Sequence, residues 1–226
     1  FQEKLGSVYY KTERLAGLAQ FLAPIVGAKE SLSIRAAELS KSDLVSEMVG
    51  EFESLQGVMG RYYAINDGEH PEVAEALLEQ YMPRFAGDML PLTATGAVLA
   101  LADRLDTLIG IFGIGQPPSG SKDPFALRRA SLGLLKIIIE RKIDIDLYAA
   151  LSVAASQHNC LTAGLAVNDD IIKQVLTYIV DRFRSWYEDE KIPTEVFLSV
   201  AARKLRSPLE IHLRVNAVHC FSVQPE

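Results

Sequence analysis

Apolar residues recur every three or four positions along most of this 226-residue chain, and the two-residue alternation of a half-exposed strand is rare. Gly, Pro and Asn residues interrupt the pattern at intervals, and such residues usually end a helix or form a turn. The pattern predicts helices at 5–26, 34–53, 71–81, 95–112, 125–142, 146–157, 169–190 and 194–204. The predicted fold class is therefore all-α.

The chain changes character after about Asp146. The run IIIERKIDIDL closes a part that is rich in distinctive motifs, and plainer amphipathic segments follow it. We therefore predict a helical domain over 1–146 and a helical extension over 147–226. The first residue is Phe1 rather than Met, so we expect the chain to be the interior of a longer protein.

Composition narrows the class of protein. With 49% hydrophobic residues the chain can bury a sizeable core, and it has no run of about 18 apolar residues. These features predict a soluble protein without a membrane partner. Cys160 and Cys220 have neither metal-ligand spacing nor the density of a disulfide scaffold, which is typical of reduced, incidental thiols in a cytoplasmic protein.

A local group of basic residues stands out against the acidic composition. The net charge of −6 and the pI near 5.3 argue against binding of nucleic acid, DNA included, through overall charge. Lys122, Arg128 and Arg129, however, cluster around a helix start at Asp123-Pro124, where Asp fits the N-cap position and Pro the first helical position. Free N–H groups at a helix start attract phosphate, so this cluster is a candidate RNA-backbone site.

The basic and aromatic residues allow two other interpretations. Arg128 and Arg129 could instead form internal ion pairs with Asp103 or Asp106. Arg61 and Tyr62, in the run Arg61-Tyr62-Tyr63, form a second RNA-binding candidate, because a tyrosine beside an arginine can stack on an exposed base. One of the two tyrosines must face the core if the segment is helical.

The region up to residue 112 resembles a helical domain of the HD type, in which metal-dependent phosphohydrolases use a His, a His-Asp pair and a later Asp. Here Ser42-Asp43 stands where the His-Asp pair would be, and no His occurs before His70. Asp43 and Asp103 are the two carboxylates that remain. We predict no metal site, and we expect these aspartates to act as a helix cap or in a buried ion pair.

Nucleotide and acyl-transfer motifs do not occur in the chain. It has no G-x-x-x-x-G-K-[ST], no G-x-G-x-x-G and no G-x-S-x-G sequence. We interpret Gly113-Ile114-Gly115 as a turn that needs positive φ. The histidines lack metal-ligand spacing: His158 is expected in a polar turn, and surface or cap positions are expected for all four. Phe183 and Trp186, three residues apart, are expected to form a packing stripe.

Three motifs together carry a family resemblance. They are LADRLDTLIGIF with the following GIGQPPSGSK and DPFALRRA, then EFESLQGVMGRYYA, and QYMPRFAGDMLP. The chain resembles the middle of the β subunit of the bacterial two-subunit glycyl-tRNA synthetase. The resemblance is densest from residue 1 to about 146 and becomes looser after about 147.

The resemblance implies a role in aminoacylation. In that family the α subunit holds the catalytic core and uses ATP and Mg²⁺, while the β subunit recognises the tRNA. The matching HD-like part lies near the tRNA acceptor end and the α subunit. The implied partners are therefore the α subunit and tRNA(Gly), and this segment itself is expected to hold no cofactor and to perform no chemistry. An HD-type nucleotide phosphohydrolase and a purely structural helical scaffold are the alternatives.

Overall fold

The structure, a computed structural model, describes residues 2–162 and 164–222, and that part of the chain is helical. The predicted all-α class is confirmed, because the described residues form no β-sheet and contain a single isolated bridge between Ser119 and Lys122. Three short 3₁₀ turns lie at Glu3–Leu5, Ser42–Val45 and Glu53–Leu55. Twelve α-helices, joined by loops and turns, account for most of the other described residues: α1 (Val8–Val26), α2 (Glu30–Leu39), α3 (Glu47–Glu51), α4 (Val58–Asn66), α5 (Pro71–Glu79), α6 (Ala94–Gly113), α7 (Leu127–Glu140), α8 (Leu147–Leu161), α9 (Asp169–Val180), α10 (Arg182–Asp189), α11 (Thr194–Ala201) and α12 (Pro208–Ser222).

Helix α6 is the centre of the fold. Sixteen of its twenty residues are buried, and it packs against α1, α2, α5, α7, α8 and α9. Its sequence is apolar on nearly every side, as expected for a helix surrounded by other helices. Every element that carries a candidate site residue is therefore positioned directly or indirectly by α6.

The start of α6 is fixed by carboxylates from α5. The Thr93 hydroxyl caps the helix by accepting the Gly96 N–H, and buried Glu79 accepts the N–H groups of Leu92 at 2.6 Å and Thr93 at 3.1 Å. Glu72 accepts the Thr95 hydroxyl at 2.7 Å. Negative groups at a helix N-terminus satisfy the unpaired N–H groups and interact favourably with the helix dipole.

The segment after Asp146 packs into the same core as the segment before it. Helix α8 lies against α1 and α6, α9 against α8 and α6, and α12 against α7 and α11. One hydrophobic cluster extends from Leu15 to Val215. The subdivision at Asp146 stays a prediction, since hydrophobic packing continues across it.

An aromatic cluster holds the last helices together. The rings of Phe183 and Tyr187 stack with centroids 5.4 Å apart, and Phe197 of α11 packs on both. Trp186 and His212 lie at the edge of this cluster, with their ring centroids 6.1 Å apart. The packing stripe predicted for Phe183 and Trp186 is confirmed.

The predicted helix over 34–53 is wrong, because the chain leaves the helix at Leu39. Lys41 has φ of 69°, a left-handed conformation that an α-helix cannot accommodate. The hydroxyls of Ser40, Ser42 and Ser46 each donate to the carbonyl three residues earlier. Such local hydrogen bonds compete with helix continuation, and they divide this segment into α2, a 3₁₀ turn and α3.

The other differences between the predicted and the observed helices concern where a helix is interrupted and where a helix begins. The predicted helix over 169–190 is interrupted at Asp181, which separates α9 from α10. Helices α4 and α12 were not predicted. The start of α4 is stabilised by a distant aspartate rather than by a neighbouring cap, and α12 carries apolar residues on several sides, which obscures the helical period.

Two further observations on the described residues concern the length of the apolar helices and the state of the cysteines. No helix among them is long and apolar enough to cross a membrane. Cys160 and Cys220 are both exposed and free of disulfides.

We expect Gly96→Ala to destabilise the protein. A Cβ atom at this position would lie 1.9 Å from the Glu79 Oε2 atom and would disrupt the carboxylate that caps α6. Overpacking of this kind costs about 1 to 3 kcal/mol. Chemical denaturation at neutral pH measures the change.

Gly50→Ala is the matched control, since a Cβ there has no neighbour within 4 Å and the residue lies in helix α3. It should be neutral or stabilising by up to about 1 kcal/mol. Equal effects of the two substitutions would contradict a specific role for the Glu79 cap.

Candidate nucleic-acid interface

The predicted basic cluster occupies one corner of the molecule, where a loop meets the start of α7. Lys122 pairs with Ser119 through two backbone hydrogen bonds of 2.9 and 3.1 Å, which fixes the end of the loop. The Arg128 guanidinium donates to the Gly120 carbonyl, which joins the helix to the same loop. Lys122 and Arg129 are exposed and Arg128 is half-buried. Lys122, Arg128 and Arg129 are hereafter called the basic corner.

The prediction that Asp123 is the N-cap and Pro124 the first residue of α7 is wrong. The helix begins at Leu127, and Ala126 has φ of 53°, so Asp123 and Pro124 are not its N-cap and first residue. The Asp123 carboxylate still accepts the N–H groups of Leu127 at 2.8 Å and Arg128 at 3.0 Å. These N–H groups are therefore occupied by an anion of the protein, and a phosphate would have to be bound by the basic side chains.

Internal ion pairing of Arg128 and Arg129 with Asp103 or Asp106 is wrong. Both aspartates are buried or half-buried in α6 and are paired with cations from the N-terminal segment. Within residues 2–162 and 164–222, neither Arg128 nor Arg129 forms an ion pair. The turn of the loop does agree with the sequence prediction, because Gly115 has φ of 73°.

Further basic residues that the sequence did not single out lie beside this corner. Arg129 lines two clefts, one of about 350 Å³ together with Arg84 and another of about 470 Å³ together with Lys136. Arg182 stacks on the Tyr178 ring at 5.0 Å. Burial raises the pKa of Tyr178, and the nearby charges of Arg182 and Arg128 oppose that rise. The spacing of Arg129 and Lys136 by two helical turns is the one sequence signal for this extension.

The second predicted RNA-binding pair lies elsewhere. Arg61 forms an ion pair with Glu75 of α5, with Nε and Oε2 2.7 Å apart. Helix α4 packs on α5 and on the turn at Ser42–Val45, whereas α7 packs on α6, α9, α10 and α12. The structure therefore does not bring Arg61 and Tyr62 together with the basic corner.

The expectation that one of the two tyrosines faces the core is wrong. The exposed fraction is 57% for Tyr62 and 39% for Tyr63. The side of α4 that faces the core is formed by Gly60 and Ala64, which need little space. Both rings are therefore accessible.

Asp103, the later aspartate of the HD-like pattern, lies between two lysines. Its Oδ1 atom is 3.1 Å from the Lys11 Nζ atom and 3.3 Å from the Lys41 Nζ atom. The Lys41 ammonium also lies over the Tyr81 ring, 4.2 Å from its centroid. Burial raises the pKa of Asp103, but the charges of Lys11 and Lys41 outweigh burial and hold the pKa at about 2. Asp103 thus forms ion pairs, one of its two expected roles, although its own side chain is half-buried rather than buried.

Asp106, one turn further along α6, forms the most buried ion pair. Its Oδ1 atom is 2.6 Å from the Arg14 Nε atom, and both side chains are 2% exposed. The His158 Nε2 atom lies 3.1 Å from Asp106 Oδ1 and 2.9 Å from the Asp106 carbonyl, and Nδ1 lies 3.2 Å from the Thr162 hydroxyl. Burial raises the pKa of Asp106, and Lys11, His158 and Arg14 more than offset this, so the pKa is well below its ordinary value.

His158 corrects the prediction of a polar turn. It lies within α8 and is fully buried. Gly110 of α6 makes room for it, because a Cβ there would be 2.8 Å from the His158 Cε1 atom. His70, in contrast, caps α5 by accepting the Glu72 N–H at its Nδ1 atom, as expected.

Asp43 has the other expected role, that of a helix cap. It is buried, and its Oδ2 atom accepts the N–H groups of Gly57 at 2.6 Å and Gly60 at 3.3 Å, at the start of α4. In the described part of the chain, no three His, Cys, Asp or Glu side chains come together as a possible metal-ligand set.

Fold and site together define an all-α module in which the carboxylates of α6 are used to join helices and the free basic side chains gather at one corner. The sequence matches the family described as "Glycyl-tRNA synthetase beta subunit" over residues 1–202. The chain belongs to this glycyl-tRNA synthetase beta subunit family.

Curated relatives support the assignment over the full length of the chain. It is 53% identical to the glycine–tRNA ligase beta subunit of Marinobacter nauticus, 52% to that of Chromohalobacter salexigens and 54% to that of Pseudomonas fluorescens, each over all 226 residues. The match covers 32% of each of these relatives, so the chain spans about a third of their length.

We expect Asp103→Asn to remove a pH-dependent part of the stability. The folded pKa of about 2 lies below the ordinary value of 3.8, so Asp103 stabilises the fold above pH 3.8 and loses this contribution as the pH falls through 2. The shift corresponds to about 2 kcal/mol. The difference in unfolding free energy between wild type and variant should therefore be about 2 kcal/mol at pH 7 and approach zero near pH 2.

Asp67→Asn, at an exposed position after α4, is the control and should change little at either pH. A difference for Asp103→Asn that stays constant between pH 7 and pH 2 would contradict the ion pairs with Lys11 and Lys41.

Proposed function

We propose that this chain is the part of a two-subunit glycine–tRNA ligase beta subunit that helps to bind tRNA(Gly) and to dock the α subunit, without catalytic chemistry of its own. Family membership together with the free basic corner carries this proposal. The enzyme would act in the cytoplasm, and its ATP and Mg²⁺ would be used by the α subunit.

The charges at the basic corner support the RNA-binding part. In a protein with net charge −6, an RNA backbone is repelled by most of the surface and attracted where cations lack protein partners. Lys122 and Arg129 are exposed and, among the described residues, unpaired. Arg129 also lies beside Phe125 in the first cleft and Trp186 in the second, so aromatic groups accompany the positive charge.

The two alternatives receive less support. A phosphohydrolase needs carboxylates that are free to bind metal, and here Asp43 is used as a helix cap and Asp103 as the partner of two lysines. A purely structural scaffold does not require a group of unpaired, exposed cations. The resemblance to HD-type domains therefore does not by itself support a phosphohydrolase activity.

We expect Lys122→Ala and Arg129→Ala to weaken binding of tRNA(Gly) to the complete two-subunit enzyme. Each lost phosphate contact should reduce the slope of log affinity against log salt by about one unit. Both side chains are exposed, so the melting temperature should not change. Binding titrations at several salt concentrations, with thermal unfolding in parallel, measure the two effects.

Arg203→Ala serves as the control because it removes one exposed positive charge just after α11, a helix that packs on α10 and α12. Arg128→Ala should lower the melting temperature as well, since its guanidinium joins α7 to the loop at Gly120. Unchanged tRNA affinity in both Lys122→Ala and Arg129→Ala would refute the basic corner as an RNA contact.

An exposed apolar segment supports the subunit-docking part. The exposed fraction is 92% for Val45, 41% for Met48 and 54% for Phe52, in and next to helix α3. A concentration of large apolar side chains on a surface is typical of an interaction site. Three exposed acidic residues accompany them, Glu47, Glu51 and Glu53, and no Lys or Arg occurs from 42 to 60.

The charge and the apolar character of this segment indicate which kind of partner it binds. Its negative charge repels RNA, whereas an apolar protein surface edged with Lys or Arg complements it. The name beta subunit in the relatives implies a second subunit, so we assign this apolar and acidic segment to the docking of that subunit.

We expect the double substitution Val45→Ser and Met48→Ser to weaken association with the α subunit by about 1 to 3 kcal/mol, because two apolar contacts would be lost. Calorimetric titration of one subunit with the other measures the change. Leu213→Ser, at a 60% exposed position on α12, is the control and should have no effect. Wild-type association of the double variant would place the docking surface elsewhere.

A further inference from the structure

A second cleft of about 470 Å³ lies between the loop at 83–87, helix α7 and helix α10. Its volume falls in the range of about 300 to 1,000 Å³ that is typical of small-ligand sites. The function proposed above uses only Arg129 and the neighbouring Trp186 of this cleft and assigns no ligand to the cleft itself.

Two aromatic rings border the cleft from opposite elements. Phe85 belongs to the loop and is 64% exposed. Trp186 belongs to α10, where its indole N–H donates to the Glu190 carboxylate at 2.6 Å and its ring packs against Phe183 and His212. The orientation of the indole is therefore fixed from within the protein, as in a preformed stacking surface.

The loop that carries Phe85 is also held in place. Asp88 accepts the N–H groups of Arg84 at 2.6 Å and Met89 at 2.8 Å, which closes the loop on itself. The buried Arg104 side chain donates to the Pro83 carbonyl at 3.1 Å. The exposure of Phe85 is thus a property of a fastened loop, and burial of an exposed ring against a ligand would be favourable.

The polar groups of the cleft differ between its two walls. Arg129 and Lys136 project from α7, and neither forms an ion pair among the described residues. The opposite wall carries the carboxylates of Asp189 and Glu190, and since Glu190 accepts the Trp186 indole N–H, the exposed Asp189 is the acceptor left for a ligand. A ligand that fits both walls carries negative charge at one end, a flat ring in the middle and N–H donors at the other end.

We propose that this cleft binds one unpaired nucleotide of RNA, with the base against Phe85 and Trp186, the phosphate at Arg129 and Lys136, and a base amino group at Asp189. The inference rests on the tRNA-binding function proposed above and adds a specific subsite to it. Proteins recognise single-stranded RNA by stacking unpaired bases on aromatic side chains. Cytosine presents an exocyclic amino group to Asp189, whereas uracil offers only its ring N3–H, so a site that reads the amino group should prefer cytosine to uracil.

Phe85→Ala in the complete two-subunit enzyme tests the stacking contact. Its high exposure means that the substitution should leave the melting temperature unchanged, while affinity for tRNA(Gly) falls roughly tenfold. Phe221→Ala, at a 78% exposed position on α12, is the matched control and should bind as wild type.

Asp189→Asn tests recognition of the base edge. The probes are two single-stranded RNA pentamers, all-cytidine and all-uridine, which differ in the amino group but present similar ring sizes. Wild type should bind the cytidine pentamer several-fold more tightly, and the variant should lose this preference because its amide can both donate and accept.

The outcomes separate this inference from the proposed function. If Lys122→Ala and Arg129→Ala weaken tRNA binding but Phe85→Ala binds within twofold of wild type, the nucleotide subsite is refuted and RNA binding at the basic corner stands. If Phe85→Ala instead weakens association with the α subunit and leaves tRNA affinity of the assembled enzyme unchanged, the cleft binds a peptide and the proposal is overturned. Equal binding of the two pentamers by wild type would refute the role of Asp189.

Discussion

The buried ion pair between Arg14 of α1 and Asp106 of α6 is the contact on which the arrangement of the N-terminal helices depends. Arg14 also donates to the Leu5 carbonyl at 3.2 Å and to the Thr162 hydroxyl at 3.4 Å, so one guanidinium joins the first turn, α1, α6 and the residue that follows α8. Removing one partner of such a pair would leave an uncompensated buried charge, which typically costs about 3 to 5 kcal/mol. The pair therefore specifies one alignment of three long helices.

The same arrangement of helices determines the role of Asp103. Asp103 precedes Asp106 by three residues, which places both on one side of α6, and the Lys11 ammonium reaches both carboxylates. Lys41 approaches Asp103 from the turn after α2. Cations that the N-terminal segment supplies thus occupy the Asp103 carboxylate, which becomes a structural link between helices.

Regular features of the sequence were sufficient to predict the helical class and the long helices. Helix α6 lies within one residue of its predicted bounds at each end because its apolar period and its Thr93 cap are both local. Lys122, Arg128 and Arg129 were likewise identified, since they are close in sequence. The start of α4 depends on a contact between distant residues, Asp43 with Gly57, which has no local signature. The break at Lys41 was missed for a different reason, because the apolar period continues past it while local serine hydroxyls compete with the helix.

The clefts could not be predicted for the same reason. Phe85, Arg129 and Trp186 come from three separate parts of the chain and meet only after α7 and α10 pack. Sequence spacing alone favoured a packing role for Trp186, and that role is real on one side of its ring. Trp186 also lines the cleft, and a residue's second contact becomes visible only in the folded structure.

The two surfaces assigned to different partners adjoin each other across the first cleft. Glu53, from the acidic segment, and Arg129, from the basic corner, both line this cleft, together with Arg84, Asp103 and Arg104. Its two carboxylates partly offset the three guanidinium groups that line it, so it offers an RNA phosphate less attraction than the exposed side of α7 does. RNA bound along α7 and a protein bound at 44–53 would therefore be neighbours without competing for one site. A net charge of −6 is compatible with RNA binding under this arrangement, because the acidic groups next to the interface are those that a second protein would cover.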